Sequence, residues 1–332
     1  MRRHLLIALQ LTLLLSSCGS DSGGTVMQSA ARQVGDERIT SVTAYREGSM
    51  PTKLVVFCHG YGQTVEGAWL KHLRRTASDD IVAVSTNYRD NLGFPSLRGA
   101  EDTIALTRAT LARFPSIKTV YALGVSMGGN VCGNAVTLSA RQSPDGKSLY
   151  DYWVDVEGLT NLGESWAEGR AALPDAAAGM ERDAGGTPAD QLQAYVDRSP
   201  ALNANTMKSG GVRAVAVIHG FNDGLVPYNQ AREMAVALQQ AGIPTQFYSV
   251  VFDSPTQDSG TTLTGDLGLV TGGQAPDAND AAGLNLTGHG WEGDYDHPVI
   301  RAGFDQLARM LEGSFPSDAY GENVINPTPV TP

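Results

Sequence analysis

The chain has 332 residues and a formal net charge of −11 at pH 7. An acidic balance of this size argues against nucleic acid or an anionic lipid surface as a partner. The length suffices to bury a full core, as one large domain or one domain with an insertion, and among three cysteines and six histidines no cluster has zinc-ligand spacing.

The first residues read as a targeting segment. Arg2, Arg3 and His4 form a positive start, and Leu5 to Leu15 is an apolar run too short to cross a bilayer. The run ends Leu15-Ser16-Ser17-Cys18-Gly19. Small residues before a cysteine resemble a bacterial lipobox, which implies a signal peptide over 1–17, a lipid on Cys18 and an exported protein anchored to the bacterial cell envelope. The alternative is an ordinary signal peptide with an incidental cysteine and a secreted soluble product. Loss of the leader removes two arginines and moves the formal charge from −11 to −13. Residues 18–37, mostly Ser, Gly and polar, are expected to be a flexible tether. No later stretch approaches a membrane span, so membrane contact is expected only through the lipid.

From 38 to 313, apolar runs alternate with helical patterns. Ile39 to Tyr45 alternates as a strand does. Lys53 to Cys58 is a short apolar run ending in His59-Gly60-Tyr61-Gly62, and Ile81 to Ser85 is another. Ala100, Ile104, Leu111 and Phe114 fall near helical spacing. Thr119 to Val125 predicts the strand before Ser126, followed by a helix from Gly128 and a strand over Tyr152 to Val156. Arg213 to Ile218 and Gln246 to Phe252 predict the remaining strands, with a helix marked by Ala231, Met234, Ala235 and Leu238 between them. Ile300, Phe304, Leu307 and Leu311 mark a closing helix with Pro298 in its first turn. Strands alternating with helices predict an α/β fold, with a mostly parallel central sheet covered on both faces. Residues 159–211, Ala-rich with Trp166 and Tyr195, predict a helical insertion that is either a lid or ordinary packing. Ser254 to Gly288 has no period and predicts a long functional or mobile loop. Residues 314–332 predict a disordered tail.

The chemistry centres on Gly124-Val125-Ser126-Met127-Gly128-Gly129, entered directly from a β-prone run. This pattern mounts a serine on a sharp strand-to-helix turn with its hydroxyl exposed; a plain Gly-rich turn would be spelled the same way. A serine hydroxyl needs a base within reach, and the base an acid to orient it. In strand-turn-helix hydrolases the chain order is Ser, acid, His. Asp223, in His219-Gly220-Phe221-Asn222-Asp223-Gly224-Leu225-Val226-Pro227, follows a buried strand and is the candidate acid, although Asp-Gly is also a common turn pair. Only His289 and His297 follow it. His289 is preferred, because Gly288 and Gly290 let its ring reach back, whereas His297 precedes Pro298 at a helix start. The oxyanion donors expected are the N–H groups of Met127 and Tyr61. The Tyr61 ring and Trp291 are candidates to line a substrate pocket, with a core role for Trp291 as the alternative. Cys58 and Cys132 either pair or stay as buried thiols.

These pieces together resemble the α/β-hydrolase superfamily over residues 38 to 312. The Asp223 segment with its Val226-Pro227 ending is similar to the prolyl-oligopeptidase and dienelactone-hydrolase branch, but only a tether precedes the hydrolase, where large peptidases of that branch carry a propeller. The Gly-x-Ser-Met-Gly-Gly elbow also resembles those of cutinase-like and polyester-cleaving esterases. The expectation is a serine hydrolase that cleaves carboxylic esters, small or polymeric, with no metal or organic cofactor. The alternatives are a peptidase acting on short peptides and a non-catalytic surface lipoprotein on a hydrolase scaffold.

Overall fold

The computed structural model describes residues 24–67, 69–91, 93–221, 223, 225–250, 289–290, 295, 297–316 and 320–325. The expected signal peptide, Cys18, the 254–288 loop and Trp291 lie outside them.

Strand β1 (Thr25–Val34) pairs antiparallel with β2 (Glu37–Arg46), in register from Thr25↔Arg46 to Val34↔Glu37. The turn between them opens with Gly35 at φ +60°, which suits the glycine-first II′ hairpin. This corrects the expected tether: ten residues of 18–37 form an edge strand. Polar and half-buried side chains hide it in the sequence; its backbone is satisfied by β2.

The chain continues through β3 (Lys53–Cys58), α1 (Trp69–Thr76), β4 (Ile81–Thr86), α2 (Ser96–Arg113), β5 (Thr119–Val125), α3 (Met127–Gln142) and β6 (Tyr152–Val156). The insertion folds as α4 (Leu162–Ala172), α5 (Pro174–Ala184), α6 (Leu192–Asp197), a 3₁₀ turn (Pro200–Asn203) and α7 (Ala204–Gly210). Then come β7 (Ala214–Gly220), α8 (Asn229–Gln240), β8 (Thr245–Val250), α9 (Pro298–Glu312) and β9 (Gly321–Ile325). Strand β9 lies within the expected disordered tail and pairs parallel with β8, from Gln246↔Gly321 to Val250↔Ile325. That is a second correction: β9 is an edge strand of five residues, too short and polar to show a period.

Among the described residues, nine strands form one sheet in the order β1-β2-β4-β3-β5-β6-β7-β8-β9. The β1–β2 and β2–β4 pairs are antiparallel and the others parallel. Successive residues of each strand feed opposite faces. Leu54, Val56, Val120 and Ala122 pack in one core with α2, α3 and α8, while Val55, Phe57, Tyr121 and Leu123 pack in the other with α1 and α9. Both faces are therefore covered, as near-continuous apolar strands require. The strand order reverses between β3 and β5, and a crevice at the carboxyl end of such a switch point is where open α/β sheets bind ligands. Among the described residues, no helix is long and apolar enough to cross a membrane.

Candidate active site

Ser126 stands at that switch point, between the end of β5 and the start of α3. Its backbone is left-handed, φ +56° and ψ −125°, a conformation costing a non-glycine residue about 1–3 kcal/mol. The bend is tight enough that glycines on both sides are obligatory. A Cβ on Gly124 would collide with the backbone of Gly128, and one on Gly128 with the carbonyls of Cys58 and His59. The same packing presses the first turn of α3 against the loop after β3. The Ser126 N–H is held by the Val156 carbonyl at 2.8 Å. Ser126 is the N-cap of α3, yet its side chain makes no capping bond, so the hydroxyl is not spent on the helix. The Met127 N–H lies in the first turn of α3, where the helix dipole favours negative charge.

Asp223 and His289 meet. His289 Nδ1 lies 2.7 Å from Asp223 Oδ2, and both side chains are fully buried. The other oxygen, Oδ1, accepts the N–H groups of Leu225 and Val226, each at 2.9 Å. Burial on its own would raise the Asp223 pKa; the charges and hydrogen bonds of His289 and His219 outweigh it and hold the carboxyl well below the usual range. His219 buttresses this loop, with Nε2 2.7 Å from the Val226 carbonyl and 3.4 Å from Asp223 Oδ2.

Ser126, Met127 and the acid loop border one apolar cavity of about 60 Å³. Leu225, Val226 and Pro227 form one wall, and Tyr61 and Phe94, stacked with ring centroids 6.4 Å apart, form another. Ser165, Glu168, Leu173, Ala177 and Met180 close it, so helices α4 and α5 of the insertion cover the site. His59 turns inward, its ring stacked on Tyr88 at 4.2 Å and its Nδ1 bonded to the Gly60 carbonyl. Burial lowers its pKa to about 4, so it stays neutral.

Other sequence candidates lie elsewhere. His297 caps α9, its side chain accepting the Val299 N–H at 3.4 Å. Cys58 and Cys132 are buried free thiols, and burial with the neighbouring Cys58 pushes Cys132 well up, the opposite of a reactive cysteine.

Two acids escaped the sequence reading. Glu157, directly after β6, binds the Gly290 N–H with both carboxylate oxygens, at 3.0 and 2.9 Å, and its Oε2 stands 3.6 Å from His289 Nδ1. Asp155, on β6, is buried under Gly129 and Gly158, and burial raises its pKa to about 7. Glu157-Gly158 reads as a turn pair and Asp155 as a strand residue, so neither carries a signal that motif or periodicity would expose. By donor type Glu157, Asp223 and His289, with ligand atoms within 4.8 Å of one another, could also hold a divalent cation. The 2.7 Å bond from His289 to Asp223 needs a proton at Nδ1 that such an ion would displace.

The sequence profile of the prolyl oligopeptidase family matches residues 96–254, a stretch that contains Ser126 and Asp223 and ends before His289. No curated protein matches the sequence significantly. Among solved structures, the chain is similar to an acylaminoacyl peptidase from Pyrococcus horikoshii, with 17% identity and a TM-score of 0.52 over 70% of this chain and 37% of that one. An acylaminoacyl peptidase in complex with Z-Gly-Gly-Phe-chloromethyl ketone gives 17% identity and 0.51 over 70% and 37%. Carboxyl esterase 2 from the mycorrhizal fungus Tuber melanosporum gives 14% identity and 0.57 over 89% of both chains. The chain thus spans little more than a third of the length of the peptidases. These likenesses show the α/β-hydrolase fold, and the family profile supports a serine hydrolase.

Proposed function

We propose that the chain is a carboxylic-ester hydrolase working through an acyl-enzyme. Ser126 Oγ attacks the acyl carbonyl while His289 takes its proton. Asp223 holds the proton on Nδ1 and stabilises the imidazolium that forms. The N–H groups of Met127 and Tyr61 receive the oxyanion, and His289 returns the proton to the leaving alcohol before water releases the acyl group. The observation carrying this reading is the left-handed Ser126, its hydroxyl free of any capping role and bordering a cavity that the Asp223 loop also lines. A cavity of about 60 Å³ suits a short acyl group.

The test is a fluorophosphonate probe together with p-nitrophenyl acetate. Labelling at Ser126 and a fall of about a million-fold in kcat for Ser126→Ala are expected. Retention of activity by that variant would end the proposal, and failure of the probe to label wild-type protein would favour a non-catalytic lipoprotein.

The prolyl oligopeptidase profile favours a second reading, cleavage of short peptides. The ester reading takes precedence because the esterase likeness covers nearly the whole of both chains. Matched ester and anilide substrates separate the two. We further propose export and lipid anchoring at Cys18, tested by incorporation of labelled palmitate and its loss in Cys18→Ala.

A further inference from the structure

The end of β6 is built around an unusual residue. Glu157 has φ +53°, a left-handed backbone that long side chains rarely adopt. Its N–H is held by the Ile218 carbonyl of β7 at 2.8 Å. That twist sends the side chain inward, where it is fully buried, toward a loop 133 residues further along the chain. There its carboxylate receives the Gly290 N–H and faces the same imidazole nitrogen that Asp223 binds. A buried carboxylate is costly and persists only with donors or opposite charge beside it. Gly290 supplies a donor to Glu157, and the ring of His289 lies next to it.

We propose that Glu157 is a second acid for His289, a positioning residue that pins the histidine loop through Gly290 and gives the imidazole another anionic partner beside Asp223. The inference rests on the hydrolase reading, in which His289 becomes cationic in mid-reaction. A negative charge 3.6 Å away in a dry site favours that cation. Among the described residues, the titratable groups around the ring are Asp223 and Glu157, with His219 behind Asp223 and His297 packed against Gly290; Asp155 on β6 interacts with His219. If Asp223 is neutralised, Glu157 is, among the described residues, the carboxylate beside the ring, and a shift of about half an ångström would bring it within hydrogen-bond reach of the Nδ1 proton.

The test uses the full chain and the variants Glu157→Gln, Asp223→Asn and the double variant. In Glu157→Gln the amide oxygen can still accept the Gly290 N–H, so the variant keeps one of the two contacts to Gly290 and removes the charge. Expected for Glu157→Gln are near-native melting, a kcat lowered by about 10- to 100-fold with KM almost unchanged, and an acid limb of kcat/KM moved to lower pH by about one unit. Asp223→Asn should keep at least about ten times the activity of the double variant, because a carboxylate still holds the imidazole. Native kcat and an unmoved acid limb in Glu157→Gln, or equal activity of Asp223→Asn and the double variant, overturns the proposal. If wild-type protein neither turns over esters nor takes the fluorophosphonate, the hydrolase reading fails by itself. The low-field Nδ1 proton resonance of His289 then decides on Glu157. It should persist in Asp223→Asn and vanish in the double variant, and the same result in both overturns the assignment.

Discussion

His289 Nδ1 and Asp223 Oδ2 stand 2.7 Å apart, 66 positions away from each other in the chain and shut off from solvent. Because Asp223 is held ionised, it can only accept, so the proton between them belongs to Nδ1 and Nε2 keeps the lone pair a general base requires. Asp223→Asn removes the charged partner at 2.7 Å and leaves the imidazolium with the more distant Glu157; kcat is expected to fall by about a thousand-fold. Stability should respond as well. A carboxyl depressed in the folded state contributes its stabilisation above the unfolded value of about 4, and this is lost as pH falls toward the folded value. Urea unfolding of wild type and Asp223→Asn at pH 7 and pH 3 should show a gap that narrows in acid.

Gly128→Ala tests the elbow. The new Cβ would meet the carbonyls of Cys58 and His59, which are backbone and cannot rotate away. The expected loss is about 3 kcal/mol or more. Fluorophosphonate labelling should disappear even where the variant still folds, because the first turn of α3 must shift away from β3. Unfolding curves and labelling on the same samples check both halves.

The parts of this site that were legible in the sequence are those whose local conformation is written in neighbouring residues. The Ser126 elbow is spelled by its glycines and by the apolar run of β5, and the Asp223 turn by the strand before it. The roles of Glu157 and His219 are set by contacts with distant loops, and a single chain position carries no trace of them. The edge strands β1 and β9 were missed because their partners satisfy them from one side only, and half-exposed strands tolerate polar and small residues. The insertion was legible as helix, and its covering of the site became visible only through the cavity that α4 and α5 line.

That insertion is latched to helix α2 by Asp183. Its side chain is almost wholly buried and takes Arg98 Nε of α2 at 3.0 Å, Arg198 Nε at 2.8 Å and the Leu97 N–H at 3.1 Å. Removing the carboxylate takes the shared acceptor from Arg98, Arg198 and the Leu97 N–H at once, a loss of about 1–3 kcal/mol because both guanidinium groups keep partial contact with water and other acceptors. Asp183→Ala should lower the melting temperature and raise KM more than it lowers kcat, since the cavity wall loosens while Ser126, Asp223 and His289 keep their supports. A kcat loss without a KM change would detach the latch from substrate binding.

The cavity should set acyl length. Met180 and Ala177 project from α5 into its wall. Met180→Ala enlarges the space and is expected to shift preference toward longer p-nitrophenyl esters. Ala177→Leu fills it and should favour acetate over butyrate by about tenfold, the usual scale for one or two methylenes in an apolar pocket. The ratio of kcat/KM values across an acetate-to-octanoate series reads this directly; an unchanged ratio in both variants would place the acyl group elsewhere.

Asp155 makes the protein less stable as pH rises from about 4 to about 7. Its two carboxylate oxygens find no hydrogen-bond partner among the described residues, and burial, opposed only by the charge of His219, raises the pKa to about 7. An unfolded aspartate titrates near 4. Below about pH 4 the group is protonated in both states and costs nothing extra. Between about 4 and 7 the folded state holds a proton that the unfolded state has released, so stability falls with pH; above 7 the full penalty stands, about 4 kcal/mol. Asp155→Asn removes the titration while keeping the shape under Gly129. The variant should match wild type at pH 4 and exceed it by a few kcal/mol at pH 8. Denaturant midpoints at the two pH values measure the difference, and a variant no more stable than wild type at pH 8 would mean that Asp155 is ionised in the fold at no cost.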